Sequence, residues 1–190
     1  KALPWEKPVI DSYGHIAHIL SVVMHNEGYE SWLYNNFTQL QISSSCNYKN
    51  IFLDYFAPRY PWMLCPWLHT TNIATEDFEI YGFDIIQFLT MHLDQNHYLC
   101  LTIDMAAIKA YHNNNHSHHA LLVYGYDDAE KVFYCADNFQ GGYYASAQIS
   151  FSEMEEAHRN TVLYQIYDIT QGIWIWKPVV CKEYSFNLDQ

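Results

Sequence analysis

The sequence is poor in positive charge. Lysine and arginine together number 9 against 21 acidic residues, which gives a formal net charge of −12. Only two arginines are present, Arg59 and Arg159, so the chain has no arginine cluster of the kind that holds phosphate groups. This imbalance argues against nucleic acid and anionic membrane surfaces as partners.

Long hydrophobic runs and paired cysteines are also missing. No apolar stretch approaches the ~20 residues that a membrane-spanning helix needs, and residues 1–10 contain no hydrophobic region of a secretory signal. The five cysteines are an odd number, and no two of them have Cys-x-x-Cys spacing. We therefore expect no membrane segment, no disulfide framework, no zinc ribbon and a reducing, cytoplasmic setting.

The residue pattern predicts a single α+β domain over residues 1–190. Helical spacing of apolar residues, or a capping pattern, predicts helices at 12–26, 29–40, 84–95 and 150–160. Apolar and β-branched runs predict strands at 51–56, 97–104, 119–127, 131–137, 143–150, 161–169 and 172–180. Three prolines predict that segment 57–71 is irregular. Helices first and strands afterwards predict N-terminal helices packed on an antiparallel sheet.

The first predicted helix begins at Ser12, in the stretch Asp11-Ser12-Tyr13-Gly14. A helix N-terminus carries a positive partial charge and unpaired backbone N–H groups. It therefore stabilises a thiolate or a developing oxyanion. Serine is also a favoured N-cap residue. Ser12 is accordingly either a helix cap or the residue at a reactive position.

A histidine-rich segment precedes the predicted strand 119–127. His119 starts this apolar strand, where a rigid backbone holds a general base well. A polar loop that merely ends at a strand is the alternative. His112, His116 and His118 raise the question of a metal site, but an asparagine-rich loop without a further carboxylate or cysteine at ligand spacing is a poor cage. We expect at most adventitious metal binding, no functional metal and no cofactor.

Asp137 ends the strand that is expected to pair with the one beginning at His119. If the hairpin turn is centred on Asp128, His119 and Asp137 face each other across the antiparallel pair. A carboxylate beside an imidazole fixes its tautomer and supports its charged form. The alternative is an ordinary aspartate at the end of a strand.

In order and spacing these motifs resemble the papain-like fold, especially its bacterial branch related to the C39 bacteriocin-processing peptidases. The stretches DSYGHIA and HALLVYGYDD…VFYCAD are similar to the nucleophile motif and the base strand of that branch. The similarity covers residues 7 to about 170 and is greatest to the N-terminal domain type of butirosin biosynthesis protein H. It implies that Ser12 occupies the nucleophile position, that His119 is the base and that Asp137 orients it.

Two departures from the family pattern matter. The family nucleophile is cysteine, and a His-Asp pair suited to a thiolate activates serine poorly because an alkyl hydroxyl loses its proton far less readily. A cysteine replaced by Ser12 is favoured over a natural serine enzyme, and a natural inactive relative is the third interpretation. Glu6 stands where the family has an oxyanion-hole glutamine, which leaves Asn26, another side chain or the Ser12 backbone for that role.

The resemblance implies an amide-forming acyltransferase. A thiolate would take an acyl group from a phosphopantetheine thioester on an acyl carrier protein, and a small-molecule amine would resolve the acyl-enzyme. The tryptophan-bearing segments 58–69 and 172–178 are expected either to line a water-poor pocket or to form core. The alternatives are a C39-like cysteine peptidase and a catalytically inactive binding protein on the same fold.

Carrier proteins are usually acidic, and this chain is acidic as well. Long-range steering between the two would therefore be repulsive. Docking requires a local basic spot, for which the candidates are Lys7, Lys49, Arg59 and Lys109.

Overall fold

The computed structural model describes residues 1–37, 40–44, 51–55, 61–163, 172–180 and 184–185. Over these residues it contains five α-helices: α1 Gly14–Val23, α2 Tyr29–Phe37, α3 Thr75–Tyr81, α4 Ile85–Asp94 and α5 Phe151–Leu163. It also contains eight strands: β1 Leu40–Ser44, β2 Ile51–Tyr55, β3 Leu68–Ile73, β4 Tyr98–Asp104, β5 His118–Asp127, β6 Val132–Asn138, β7 Tyr144–Ser150 and β8 Ile173–Pro178. The α+β class predicted from the sequence is confirmed.

Six of the strands form one antiparallel sheet in the order β3-β8-β4-β5-β6-β7, while β1 and β2 pair separately. The last strand, β8, lies between β3 and β4. Strands β4, β5 and β6 are therefore interior strands with a partner on each side. Within the described residues, no helix is both long and apolar enough to cross a membrane.

Helices cover both faces of the sheet. Ile103 pairs with His119, and the next residue, Asp104, pairs with His118. Because successive side chains of a strand point to opposite faces, these two pairs mark the two faces. Gly14 of α1 lies next to His119, whereas Asn160 of α5 donates to Asp104, so α1 and α5 lie on opposite faces; α4 contacts α5, β4 and β5.

A β-bulge interrupts the pairing of β5 with β6. Val123 pairs with Cys135 but Gly125 pairs with Tyr134, so Tyr124 is an extra residue in β5. At the bulge the backbone of Ala2 forms a bridge with Gly125. A Cβ atom on Gly125 would lie only 2.6 Å from the Lys1 carbonyl oxygen, which explains why glycine stands there.

Two predictions about the tryptophan-bearing segments were resolved by packing. Segment 57–71 was predicted to be irregular, but Leu68–Ile73 is strand β3, paired along its length with β8. The Trp62 ring lies 5.5 Å from that of Trp174 and 5.3 Å from that of Trp176, between ring centroids. All three side chains are buried, so they form core rather than the lining of an open pocket.

Several element boundaries differ from those predicted. Helix α1 begins at Gly14 rather than Ser12, and its N-cap is Tyr13, which makes no side-chain capping bond. Helix α3 was not predicted. Helix α5 continues through Leu163, so the predicted strand 161–169 is wrong at its first three residues, and the rest of it lies outside the described residues.

The capping box at the start of α5 is confirmed. The Glu153 carboxylate accepts a hydrogen bond from the Ser150 backbone N–H at 3.0 Å, and the Glu153 N–H donates to the Ser150 hydroxyl at 3.2 Å. These reciprocal bonds satisfy donors that the helix itself cannot. They hold α5 against the end of β7, where Ser150 is the last strand residue.

Candidate active site

His119 and Asp137 are in contact. His119 Nδ1 lies 2.6 Å from Asp137 Oδ2. The register differs from the predicted one, because the pairing of Leu122 with Ala136 sets Asp137 beside Leu121 rather than opposite His119. The two residues are diagonal neighbours on one face, a spacing that long side chains still bridge.

Asp137 is fully buried, and several donors converge on its carboxylate. Besides His119, the Tyr111 hydroxyl donates to Oδ2, and the Asn138 backbone N–H donates to Oδ1 at 2.7 Å. A carboxylate held on both oxygens keeps one orientation. Because Oδ2 accepts from His119, the Nδ1 atom of that ring carries the proton, and Nε2 is the nitrogen that can act as a base.

The N-terminus of α1 lies against this pair. A Cβ atom on Gly14 would lie 3.4 Å from both His119 Cε1 and Asp137 Oδ1. Ser12 is exposed and precedes Gly14 by two residues, so its Cα is no more than about 7 Å from that of Gly14. The structure thus brings the start of α1 close to His119 and Asp137, and position 14 is where an added side chain would meet the pair.

Asn138 fastens the segment that carries Ser12. Its Nδ2 donates to the Asp11 carbonyl at 2.7 Å and to the Gly142 carbonyl at 2.9 Å. The residue next to Asp137 therefore holds the peptide that leads into Ser12. Sequence analysis did not identify Asn138, although its place between a strand end and the Gly141-Gly142 turn is typical of asparagines that bond nearby backbone.

His18 is a second residue that sequence analysis missed. It lies on the buried side of α1, with Nε2 3.1 Å from the Ala120 carbonyl and Nδ1 2.8 Å from the Tyr144 hydroxyl. A carbonyl only accepts, so Nε2 carries the proton and Nδ1 accepts from Tyr144. Burial is the main cause that lowers the pKa of His18 to about 4, and the ring is neutral at physiological pH. The only available signal was a histidine within the apolar stripe of a helix.

The candidates for the role of the missing oxyanion-hole glutamine lie at different ends of α1. Asn26 follows the C-terminus of α1 and donates to the Val23 carbonyl at 2.9 Å. With a rise of 1.5 Å per residue, the last residue of α1, Val23, lies roughly 14 Å along the axis from Gly14. Asn26 lies beyond that end, so the suggestion that it supplies an oxyanion donor was wrong. The first N–H groups of a helix have no partner within it, so the backbone at the start of α1 is a candidate source of such donors, beside another side chain.

The histidine-rich segment does not gather into one cluster. His116 Nδ1 lies 2.7 Å from Asp104 Oδ2, while His119 turns to Asp137 on the other face of the sheet. Among the residues that the structure describes, no group of three or more potential ligands is placed to hold a metal ion. The cysteines described, Cys65, Cys100 and Cys135, are buried.

Of the four charged candidates for carrier docking, the two that the structure describes, Lys7 and Lys109, each lie beside a carboxylate. Lys7 Nζ lies 4.0 Å from Asp11 Oδ2. Lys109 donates its backbone N–H to Glu153 at 3.2 Å, and its charge is one of the causes that lower the pKa of that carboxyl. Lys49 and Arg59 lie outside the described residues.

Comparison with known proteins returned no relative: no family model, no curated protein and no solved structure matches the chain. The assignment of the site therefore depends on the geometry of these side chains and on the motif resemblance.

Proposed function

We propose that this protein is an amide-forming acyltransferase of natural-product biosynthesis with a papain-like fold, of the butirosin biosynthesis protein H type. A protease-like amide synthetase, such as that of closthioamide assembly, is the specific candidate within this group. The acyl donor is a phosphopantetheine thioester on an acyl carrier protein, and the acceptor is a small-molecule amine. The reaction needs no metal and no cofactor.

One observation carries the proposal: a histidine bonded to a buried aspartate lies against the N-terminus of a helix. In the active form a cysteine at position 12 attacks the thioester carbonyl, and the pantetheine thiolate leaves with the proton held by His119. The amine then attacks the acyl-enzyme, gives its proton to His119 Nε2 and releases the amide and the enzyme thiolate. N–H groups at the start of α1 stabilise the oxyanion in both steps.

Exchange between thioesters is nearly neutral, and amide formation makes the second step favourable, so no nucleotide is consumed. A C39-like peptidase would use the same residues up to the acyl-enzyme. A product analysis separates the two, because the peptidase acts on a peptide and transfers the acyl group to water.

A catalytically inactive binding protein is the second candidate function. The observation that favours it is Gly14: at the position of α1 where a side chain would meet the His119–Asp137 pair, there is none. Position 14 is also the alternative nucleophile position, because a side chain there would lie next to His119.

Intact-mass spectrometry after exposure to a short acyl thioester tests the proposal. Three forms are compared: the protein with Ser12, the Ser12→Cys variant, and the same variant with His119→Ala. We expect one acyl adduct, formed on Ser12→Cys only when His119 is present, and its discharge by an amine to give an amide. An adduct that forms equally without His119, or no adduct, contradicts the proposal.

Gly14→Cys is the positional control. A Cβ at this position would lie 3.4 Å from the His119 ring, at ordinary contact distance, which puts the thiol beside His119. Adduct formation on Gly14→Cys and not on Ser12→Cys would keep the acyl-transfer chemistry but refute Ser12 as the nucleophile position.

A further inference from the structure

Tyr111 reaches Asp137 from the connection between β4 and β5. It ends the short helical turn Lys109–Tyr111, is buried, and donates its hydroxyl to Asp137 Oδ2. This oxygen also accepts from His119 Nδ1. The Tyr111 ring packs 4.9 Å from that of Phe139, between centroids, so the phenol is held on the carboxylate by its surroundings.

Two donors on one carboxylate oxygen compete for the same negative charge, so each bond is weaker than it would be alone. The bond from Tyr111 therefore reduces the stabilisation that Asp137 gives to a protonated His119. We propose that Tyr111 is a positioning residue of the candidate site, which acts through Asp137 to limit the proton affinity of His119 and to keep its Nε2 available as a base near neutral pH. The catalytic part of this inference rests on the proposed function, whereas the effect of Tyr111 on the titration of His119 does not.

The connection that carries Tyr111 is anchored at both ends by Asp104. Its buried carboxylate accepts from the backbone N–H groups of Ala106 and Ser117, both at 3.2 Å. It also accepts from His116 Nδ1 at 2.7 Å and from Asn160 Nδ2 at 2.9 Å. Three of these donors, Ala106, His116 and Ser117, belong to segment 105–117, while Asn160 lies on α5. They hold both ends of the segment at the end of β4, so the position of Tyr111 depends on a network on the face opposite to the His119–Asp137 pair.

Titratable groups near His119 within the described residues include Asp137 on β6, His18 on α1 and Tyr111 in the connection between β4 and β5. Burial keeps His18 neutral. Burial and the neighbouring Asp137 charge raise the pKa of Tyr111 well above its usual value, so the phenol remains a donor throughout the range in which an imidazole titrates.

The direct test is an NMR titration of the His119 ring in the protein as it stands, compared with Tyr111→Phe. Tyr98→Phe is the matched control, because it removes another buried tyrosine hydroxyl, one that donates to the Pro4 carbonyl. We expect the midpoint of the His119 titration to move to higher pH in Tyr111→Phe and to stay in place in Tyr98→Phe. No movement in Tyr111→Phe, or equal movement in both variants, overturns the inference.

A kinetic test uses the same substitutions in the Ser12→Cys background. We expect Tyr111→Phe to move the acid limb of acylation to higher pH, with a loss of roughly threefold to tenfold on that limb and an unchanged plateau. A uniform loss at every pH indicates a merely structural role and refutes the inference. If Ser12→Cys is not acylated, the proposed function fails while the titration still decides the role of Tyr111.

If Tyr111→Phe does not fold, Asp104→Asn replaces it. This change loosens the anchor of segment 105–117 without touching the His119–Asp137 pair. The His119 midpoint is expected to move in the same direction, and no movement or a movement to lower pH contradicts the inference.

Discussion

Replacing His158 by phenylalanine is expected to make the fold less sensitive to mild acid. His158 lies on α5 with 5% of its surface exposed, and its ring centroid is 5.0 Å from that of Phe78. Its Nε2 atom is buried and has no hydrogen-bond partner among the described residues. Burial lowers the pKa of His158 to about 4, from a model-peptide value of 6.5.

The sign and size of the effect follow from that difference. The unfolded chain takes up a proton at His158 below pH 6.5, whereas the folded protein resists it until pH 4. The folded state is therefore favoured fully above pH 6.5 and loses this advantage as the pH falls toward 4. At pH 5 the loss amounts to about 2 kcal/mol, and it reaches about 3 kcal/mol below both values.

Urea unfolding near pH 7.5 and near pH 5 measures this directly. The loss of unfolding free energy between the two pH values should be about 2 kcal/mol smaller in His158→Phe than in the parent, and stability near pH 7.5 should be similar or higher, since an unpaired buried nitrogen is removed. His18, with the same lowered pKa, accounts for much of the remaining loss. His25→Phe at an exposed position is the control and should leave the pH dependence unchanged.

If His158→Phe loses as much stability as the parent between the two pH values, His158 is not a buried neutral histidine. The buried contact between the His158 and Phe78 rings would then be incorrect. If His25→Phe reduces the loss of unfolding free energy by the same amount, the effect does not come from the burial of His158.

Two further substitutions test the backbone and the site. Gly172 has φ +119°, and a Cβ there would lie 2.1 Å from the Ile73 carbonyl oxygen, so Gly172→Ala should cost more than about 3 kcal/mol of unfolding free energy. The control Gly142→Ala, at φ +74° with open space around the Cβ, should cost only about 1 kcal/mol. Equal losses in the two variants would contradict the packing of Gly172 against Ile73. Asn138→Ala removes the hydrogen bond to the Asp11 carbonyl and should lower the acylation rate of the Ser12→Cys variant roughly tenfold or more. The free energy of unfolding, measured in urea, should fall by about 1–2 kcal/mol. An unchanged acylation rate would show that this bond does not position Ser12.

The parts of the fold that sequence analysis predicted well are those specified by neighbouring residues. The hairpin of β5 and β6 has two apolar runs around an acidic turn, and α4 has a regular apolar stripe after Asp84, whose side chain accepts from the Gln87 N–H at 2.7 Å. The capping box of Ser150 and Glu153 is also a local pattern. In each case a single short stretch contains both partners of the interaction.

The parts that were missed depend on partners distant in the chain. Strand β3 lies in a proline-rich segment and pairs with β8 roughly a hundred residues later, so no local pattern indicates it. Tyr111 and His18 enter the site only because a connection and a helix pack onto one end of the sheet. The start of α1 was misplaced because Ser12 looks like a cap, whereas the helix begins at Gly14 without a side-chain cap.

The bulge at Tyr124 decides whether the side chains of His119 and Asp137 lie on the same face of the sheet. On the hairpin side of the bulge the register pairs Gly125 with Tyr134, and continued without interruption it would set Asp137 beside residue 122. His119 would then point to one face of the sheet and Asp137 to the other. The extra residue restores an even offset, so a shortening of β5 by one position would separate two side chains that are themselves unchanged.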